Sequence, residues 1–361
     1  MTAMPQNTCS ELLDYSKLPS QIRLPDIIGY TSKAFAARSN PSHLQAEIES
    51  YKWFDSYDII PDSKRQTFFG SGLGLMTAMC YPHAEPEHFR ITLDLVLWLF
   101  TFDDMTDAGA LDDVDKMKLA IDLTMQVLRD PETPTPKFKI AAALQSCFNR
   151  MRSHSSLSTI RRTIDAIHFY TQAILQQKIN RVGDRIPSID EYIQLRRDTS
   201  AMRIAFVGIE YALGLELPAE VHEDPIVMEL ALAGNDILTW ANDIYSFPIE
   251  ASRGDTHNFV CVAMWNLQLD LEGAIAYVDR MTRRRVQEYV ESRTKLPSFG
   301  DGLDLQVAQY VQGIEYCVQG FLDWTFMTPR YFGADTAKVK ETLLVDIICP
   351  VALDTPIVVE A

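Results

Sequence analysis

Residues 90–107 read RITLDLVLWLFTFDDMTD. The stretch follows Pro86, a residue suited to opening a helix, and stays largely apolar until it ends on three aspartates. Its apolar part, about a dozen residues that include Asp94, is too short to span a bilayer. Read as a helix, it sets Asp103 and Asp107 four apart on one face. Val96, Leu99 and Phe100 fall within roughly 60° of that face, while Asp104 lies about 100° round. Two carboxylates closing an apolar stripe make the pattern of a metal site at the rim of a greasy cavity. Hard oxygen ligands suit Mg²⁺, which keeps several waters and recruits substrate phosphates. A solvated helix end would also explain the residues, but aspartates at a helix C-terminus oppose its dipole, and no basic neighbour relieves them. Gly109 stands where it would help end the helix.

A second oxygen-rich line lies in ANDIYSFPIEASRGDTHN, where Asn242, Ser246 and Glu250 occupy positions i, i+4 and i+8. On one helix face they offer an amide carbonyl, a hydroxyl and a carboxylate, a set suited to Mg²⁺ and unattractive to softer metals. Leu238 and Asn235 extend that face. Either cluster alone reads more readily as a polar, solvated helix stripe; two of them, each attached to an apolar face, are harder to dismiss.

Helical periodicity dominates the remainder, with few strand-like alternations and no repeats. Ser188 and Glu191 form a capping box ahead of one helix, and Asp224 before Pro225 marks the start of another. The loops near residues 135 and 220 are short connectors, not linkers. The expected fold is all-α: one helical domain over residues 1–335, then a C-terminal extension, 336–361, of one helix and a loose tail.

Bulk properties narrow the function. With 361 residues, 47% hydrophobic and 23% charged, the chain has a globular balance and enough length for a large core. Its net charge of −16 argues against nucleic acid and against an anionic membrane surface as partners. A small anionic substrate would need metal ions and a few placed arginines. The six cysteines form no C-x-x-C and read as reduced thiols of a cytoplasmic protein. The N-terminus lacks the basic and apolar segments of a secretory signal.

The pair DDMTD (103–107) and NDIYSFPIE (242–250), with GDTHNFV after the second, resembles the two metal motifs of class I terpene synthases, microbial branch, most like the fungal sesquiterpene synthases. The resemblance runs from about Tyr51 to Tyr331. It implies an α-helical bundle around a deep apolar cavity. Asp103, Asp104 and Asp107 match the first metal motif, and Asn242, Ser246 and Glu250 the second. Together they imply three Mg²⁺ ions on a diphosphate, with Mn²⁺ able to replace them, and no organic cofactor. Arg196, 46 positions before Asn242, matches the arginine that senses the diphosphate; without the family, Arg196 and Arg197 would read as a solvated pair. Thr199 and Ser200 match a linker and a carbonyl-presenting residue at a helix break. Arg330 and Tyr331 match a C-terminal pair that hydrogen-bonds the diphosphate, and Trp324 an aromatic that lines the cavity with Phe100. The substrate implied is a prenyl diphosphate, farnesyl before geranyl. The product is a hydrocarbon or an alcohol, cyclic or linear, and the enzyme a monomer or homodimer with no stable membrane insertion.

Two residues depart from the pattern. Ile249 stands where many bacterial relatives carry a lysine, and Pro248 should bend the helix between Ser246 and Glu250 at a cost of about 3 kcal/mol or more. Two other readings compete: a chain-elongating prenyl transferase, which normally carries a second aspartate-rich motif, and a non-catalytic helical interaction protein.

Overall fold

The computed structural model describes residues 18–107, 111, 113–183 and 185–347. In chain order these form β1 (Gln21–Arg23), α1 (Ile27–Thr31), α2 (His43–Asp55), α3 (Asp62–Phe69), α4 (Leu73–Cys80), α5 (Pro86–Asp107), α6 (Val114–Arg129), α7 (Lys139–Arg152) and α8 (Leu157–Val182). There follow α9 (Ile189–Thr199), α10 (Met202–Leu213), α11 (Ala219–His222), α12 (Pro225–Ser252), α13 (Phe259–Leu267), α14 (Leu271–Arg293), α15 (Asp301–Thr325), α16 (Pro329–Phe332), α17 (Thr336–Thr342) and β2 (Leu344–Asp346). The fold is all-α. Among the described residues no single helix is long and apolar enough to cross a membrane.

The architecture follows from which helices are buried along most of their length. α12 buries most of its length, Leu230, Ile237, Ile244 and Phe247 among its deepest side chains, as expected of a helix with neighbours on every side. It packs on α14 and α15, and α15 in turn lies against α4. That last contact is close: a Cβ on Gly320 would fall 2.8 Å from the Met79 backbone. Helix starts are chemically marked. Asp224 accepts from the amides of Ile226 and Val227 with Pro225 beside it, and Ser188 and Glu191 close a reciprocal capping box on α9. α12 runs unbroken across Pro248 to Ser252.

Between α9 and α10 the chain breaks. Ser200 caps α9, Ala201 takes a left-handed φ of 59°, and α10 restarts at Met202. The Ser200 hydroxyl has two acceptors for its one proton, the Arg197 carbonyl and Asn235 Oδ1, both at 3.0 Å, and accepts from the Met202 amide at 3.1 Å. Arg197 makes a bidentate pair with buried Asp236, 2.8 Å on each arm, and Arg285 reaches the same carboxylate at 2.9 Å. The network ties α9, α12 and α14 together. Arg196 and Arg197 are thus partly buried and bonded rather than a solvated pair.

Strands β1 and β2 pair antiparallel, Ile22 opposite Val345, so the first and last described segments meet. Of the C-terminal extension, α17 is helical and Leu344–Asp346 is a strand rather than a loose end; residues 348–361 lie outside the described residues, as does Gly109.

Candidate active site

α5, α9, α10, α12 and α15 surround a cavity of about 1840 Å³, mouth included. On α5 the lining residues run Ile91, Leu95, Val96, Leu99, Phe100, Asp103 and Asp104, an apolar stripe ending in carboxylates. From Ile91 to Asp103 the helix rises about 18 Å, so the cavity is deep and its acidic end lies at the top of α5.

At that end Asp103 Oδ1 accepts from the Tyr170 hydroxyl at 3.2 Å. Asp104 Oδ1 accepts from Arg330 Nη2 at 2.7 Å. Asp107 ends the helix; its side chain lies outside the described residues. Burial works against the charge on Arg330, but Asp104 outweighs it and holds the guanidinium above its ordinary range. The same guanidinium sits 5.1 Å over the Phe100 ring, a cation–π contact.

The second line faces the same cavity. Asn242, Ser246, Ile249 and Glu250 all line it. Asn242 Nδ2 donates to the Tyr331 hydroxyl oxygen at 3.1 Å, and its Oδ1 accepts from Arg196 Nη2 at 2.9 Å. Arg196 Nε bonds Asp243 at 3.0 Å, and Asp243 is held further by the Tyr192 hydroxyl at 2.7 Å. Asn258 caps α13 through Val260 while its amide donates to Glu250 at 2.9 Å and to the Asp243 carbonyl at 2.7 Å. Because Arg330 and Tyr331 are neighbours, one path runs Asp104–Arg330–Tyr331–Asn242 and joins the two motifs directly.

Whether these residues suit a divalent cation can be tested on two observations. The Ser246 Oγ is buried with no hydrogen-bond partner among the described residues, an expensive arrangement unless something else takes its lone pairs. Glu250 is pushed up to about 8, first by burial and then by Asp255 and Asp243, against the opposing Asn258 amide and Arg196. Crowded carboxylates with an oxygen-only donor set fit a hard cation. Among the described residues no three His, Cys, Asp or Glu side chains converge as a closed metal cage; the ligand lines are split across the cavity and include an amide and a hydroxyl.

One placement differs from expectation. Trp324 is fully buried, donates from Nε1 to the Ser71 carbonyl at 3.1 Å and is absent from the cavity wall. It packs edge-on behind Phe100 (6.0 Å) and Tyr331 (5.9 Å). Its helix instead presents Phe321 to the cavity, while the Trp324 indole is drawn behind the wall by its bond to Ser71. Ser200 lines the cavity at the helix break.

Several contributors escaped the sequence reading: Tyr170, Asp243, Tyr192, Asn258, and the Arg181–Asp255 ion pair at the rim. Asp243, Asp255 and Asn258 were signalled by their place within the second motif and GDTHN. Tyr170 and Tyr192 gave no local signal, being distant in sequence from their partners. His257, also in GDTHN, is buried against Tyr192 and pushed down to about 3, first by burial and then by Arg181 and Arg196, so its ring is neutral.

Residues 94–288 match the family model for terpene synthase family 2, C-terminal metal binding. Sesquiterpene synthase 3 of Postia placenta is 37% identical over 333 residues, 92% of this chain and 90% of that one. The chain belongs to the terpene synthase family. Sesquiterpene synthase Agr1 of Cyclocybe aegerita is 34% identical over 328 residues, 91% of this terpene synthase and 93% of that chain. Among solved structures, germacradien-4-ol synthase from Streptomyces citricolor superposes with a TM-score of 0.72 at 22% identity, covering 81% and 96% of the two chains. That likeness carries the fold alone. It agrees with the all-α fold described above.

Proposed function

We propose that this terpene synthase ionises farnesyl diphosphate and converts the resulting allylic cation to a sesquiterpene. The observation that carries the reading is the Asp104–Arg330–Tyr331–Asn242 path, which closes two oxygen-ligand lines around one apolar cavity. Asp103, Asp104, Asn242, Ser246 and Glu250, with Asp107 at the helix end, would hold Mg²⁺. When bound, the ions would neutralise the diphosphate and make it a competent leaving group. Three ions, with Mn²⁺ as a substitute, are the number the motif pair supports.

The chain's own residues supply the rest. Arg196 and Arg330 offer planar guanidinium forks to phosphate oxygens. Tyr331 accepts from Asn242 and keeps its own proton to donate, since burial raises its pKa well above neutrality. The C–O bond breaks heterolytically and the electron pair leaves with the diphosphate. Phe100 and Phe321, both on the wall, are the aromatic rings that would stabilise the cation, and the apolar lining would keep bulk water from quenching it. The reaction ends when the cation loses a proton or captures one water.

The test is purified protein with Mg²⁺ and geranyl, farnesyl or geranylgeranyl diphosphate, followed by gas chromatography. Expected are volatile sesquiterpenes from farnesyl diphosphate, abolished by chelation. Turnover only when isopentenyl diphosphate is added, yielding a longer prenyl diphosphate, would overturn the reading.

A further inference from the structure

Behind the deep end of the cavity lies a second recess of about 380 Å³, opening at the surface between His83, Gln309 and Gln312. The two voids share two side chains, Cys80 and Tyr81, at the end of α4. Tyr81 is 6% exposed. Its hydroxyl donates to the Ala205 carbonyl at 3.0 Å, tying the end of α4 to α10. The phenol lies directly on Gly208, where a Cβ would come within 2.9 Å of the hydroxyl oxygen, so glycine is what lets the ring approach so closely. On the other side Cys80 and Cys317 each point a thiol at the other's main-chain carbonyl, 3.8 and 3.6 Å away, and seal α4 to α15. Gly208 stands six residues along α10 from its start at Met202, about 9 Å below the helix break. The partition is therefore at the hydrocarbon end of the cavity, away from the oxygens that hold the diphosphate.

We propose that Tyr81 is a specificity-determining residue: its ring is the floor that ends the cavity after a three-isoprene chain and separates it from the solvent-facing recess. The proposal rests on the farnesyl reading above. A substrate one isoprene unit longer would have to displace a ring held by a hydrogen bond on one side and close packing on another, and tightly packed interiors resist such insertion. Truncating the ring would join the two voids.

The experiment measures kcat/KM of wild type, Tyr81→Phe, Tyr81→Ala and Gly208→Ala on geranyl, farnesyl and geranylgeranyl diphosphate with Mg²⁺. Tyr81→Ala should raise the geranylgeranyl-to-farnesyl ratio on the order of tenfold or more, the discrimination a shape-limited apolar pocket supplies. Its products should also contain more alcohol, because the recess faces water. Tyr81→Phe keeps the ring and loses only its bond to Ala205, so its ratio should move far less than that of Tyr81→Ala. Gly208→Ala places a Cβ against the Tyr81 hydroxyl, must displace the ring, and should likewise change the ratio. An unchanged ratio in folded Tyr81→Ala overturns the proposal. If that variant does not fold, Tyr81→Leu and Gly208→Ala decide it by the same ratios. A wild type that prefers geranylgeranyl diphosphate or ignores farnesyl diphosphate would instead sink the substrate reading, whatever the variants do.

Discussion

Ser246 is the sharpest single test of the metal reading. Its hydroxyl has no partner among the described residues, so Ser246→Ala breaks no protein hydrogen bond and should leave thermal stability within about 1 kcal/mol of wild type. The Mg²⁺ concentration for half-maximal activity should rise on the order of tenfold or more. A fall in Tm with unchanged Mg²⁺ demand would assign the hydroxyl to packing instead. Glu250 gives a pH signature. Its folded pKa of about 8 lies above the ordinary value of 4.5, so between those values the metal-free fold binds more protons than the unfolded chain. Metal-free stability must then fall as pH rises through that window. Mg²⁺ binds the carboxylate, so its stabilising effect should grow over the same range. The Tm increment from Mg²⁺ should be larger near pH 8 than near pH 6, and the difference should vanish in Glu250→Gln. An increment independent of pH would place the ion elsewhere.

Helices α5, α9 and α12 were legible because their chemistry is local. Apolar spacing marks their faces, and the Ser188–Glu191 box and the Asp224–Pro225 start are decided by neighbours in sequence. The oxygens of the second motif were legible for the same reason, i to i+4 to i+8. Trp324 was misplaced because spacing sets a residue's direction around its helix but not which neighbour fills that direction; here Ser71 claims the indole. The Arg197–Asp236–Arg285 network was invisible because three separate helices must first pack. Removing its centre should show what it does: Asp236→Ala takes the carboxylate partner from Arg197 and leaves Arg285 only Glu229 and Glu288, and should cost about 3–5 kcal/mol, read as a lower urea midpoint. Ile237→Ala, one residue along and fully buried, should cost about 2–5 kcal/mol through its cavity. If Asp236→Ala leaves the midpoint in place, the network is not holding α9, α12 and α14 together.

The molecule as a whole carries a charge of −16 and still has to receive a polyanion, which puts the burden on the cations gathered at one mouth. Inorganic diphosphate and Mg²⁺ should therefore stabilise the fold together far more than either alone. Ligand at about a hundred times its Kd adds roughly 2.7 kcal/mol, and differential scanning fluorimetry would register it; equal shifts from each ligand alone would contradict a shared site.

The pairing of β1 with β2 has a consequence for chemistry far from either strand. The Leu24 amide donates to the Leu343 carbonyl at 2.7 Å, and the Ile347 amide to the Ser20 carbonyl at 2.9 Å. The strand they clasp leads back through α17 to Arg330 and Tyr331 in a few turns of chain. Residues 18–24 thus act as a buckle on a belt that runs to Arg330 and Tyr331, the pair proposed to meet the diphosphate. Cutting away residues 18–24 should weaken substrate binding without touching a single residue that meets the substrate.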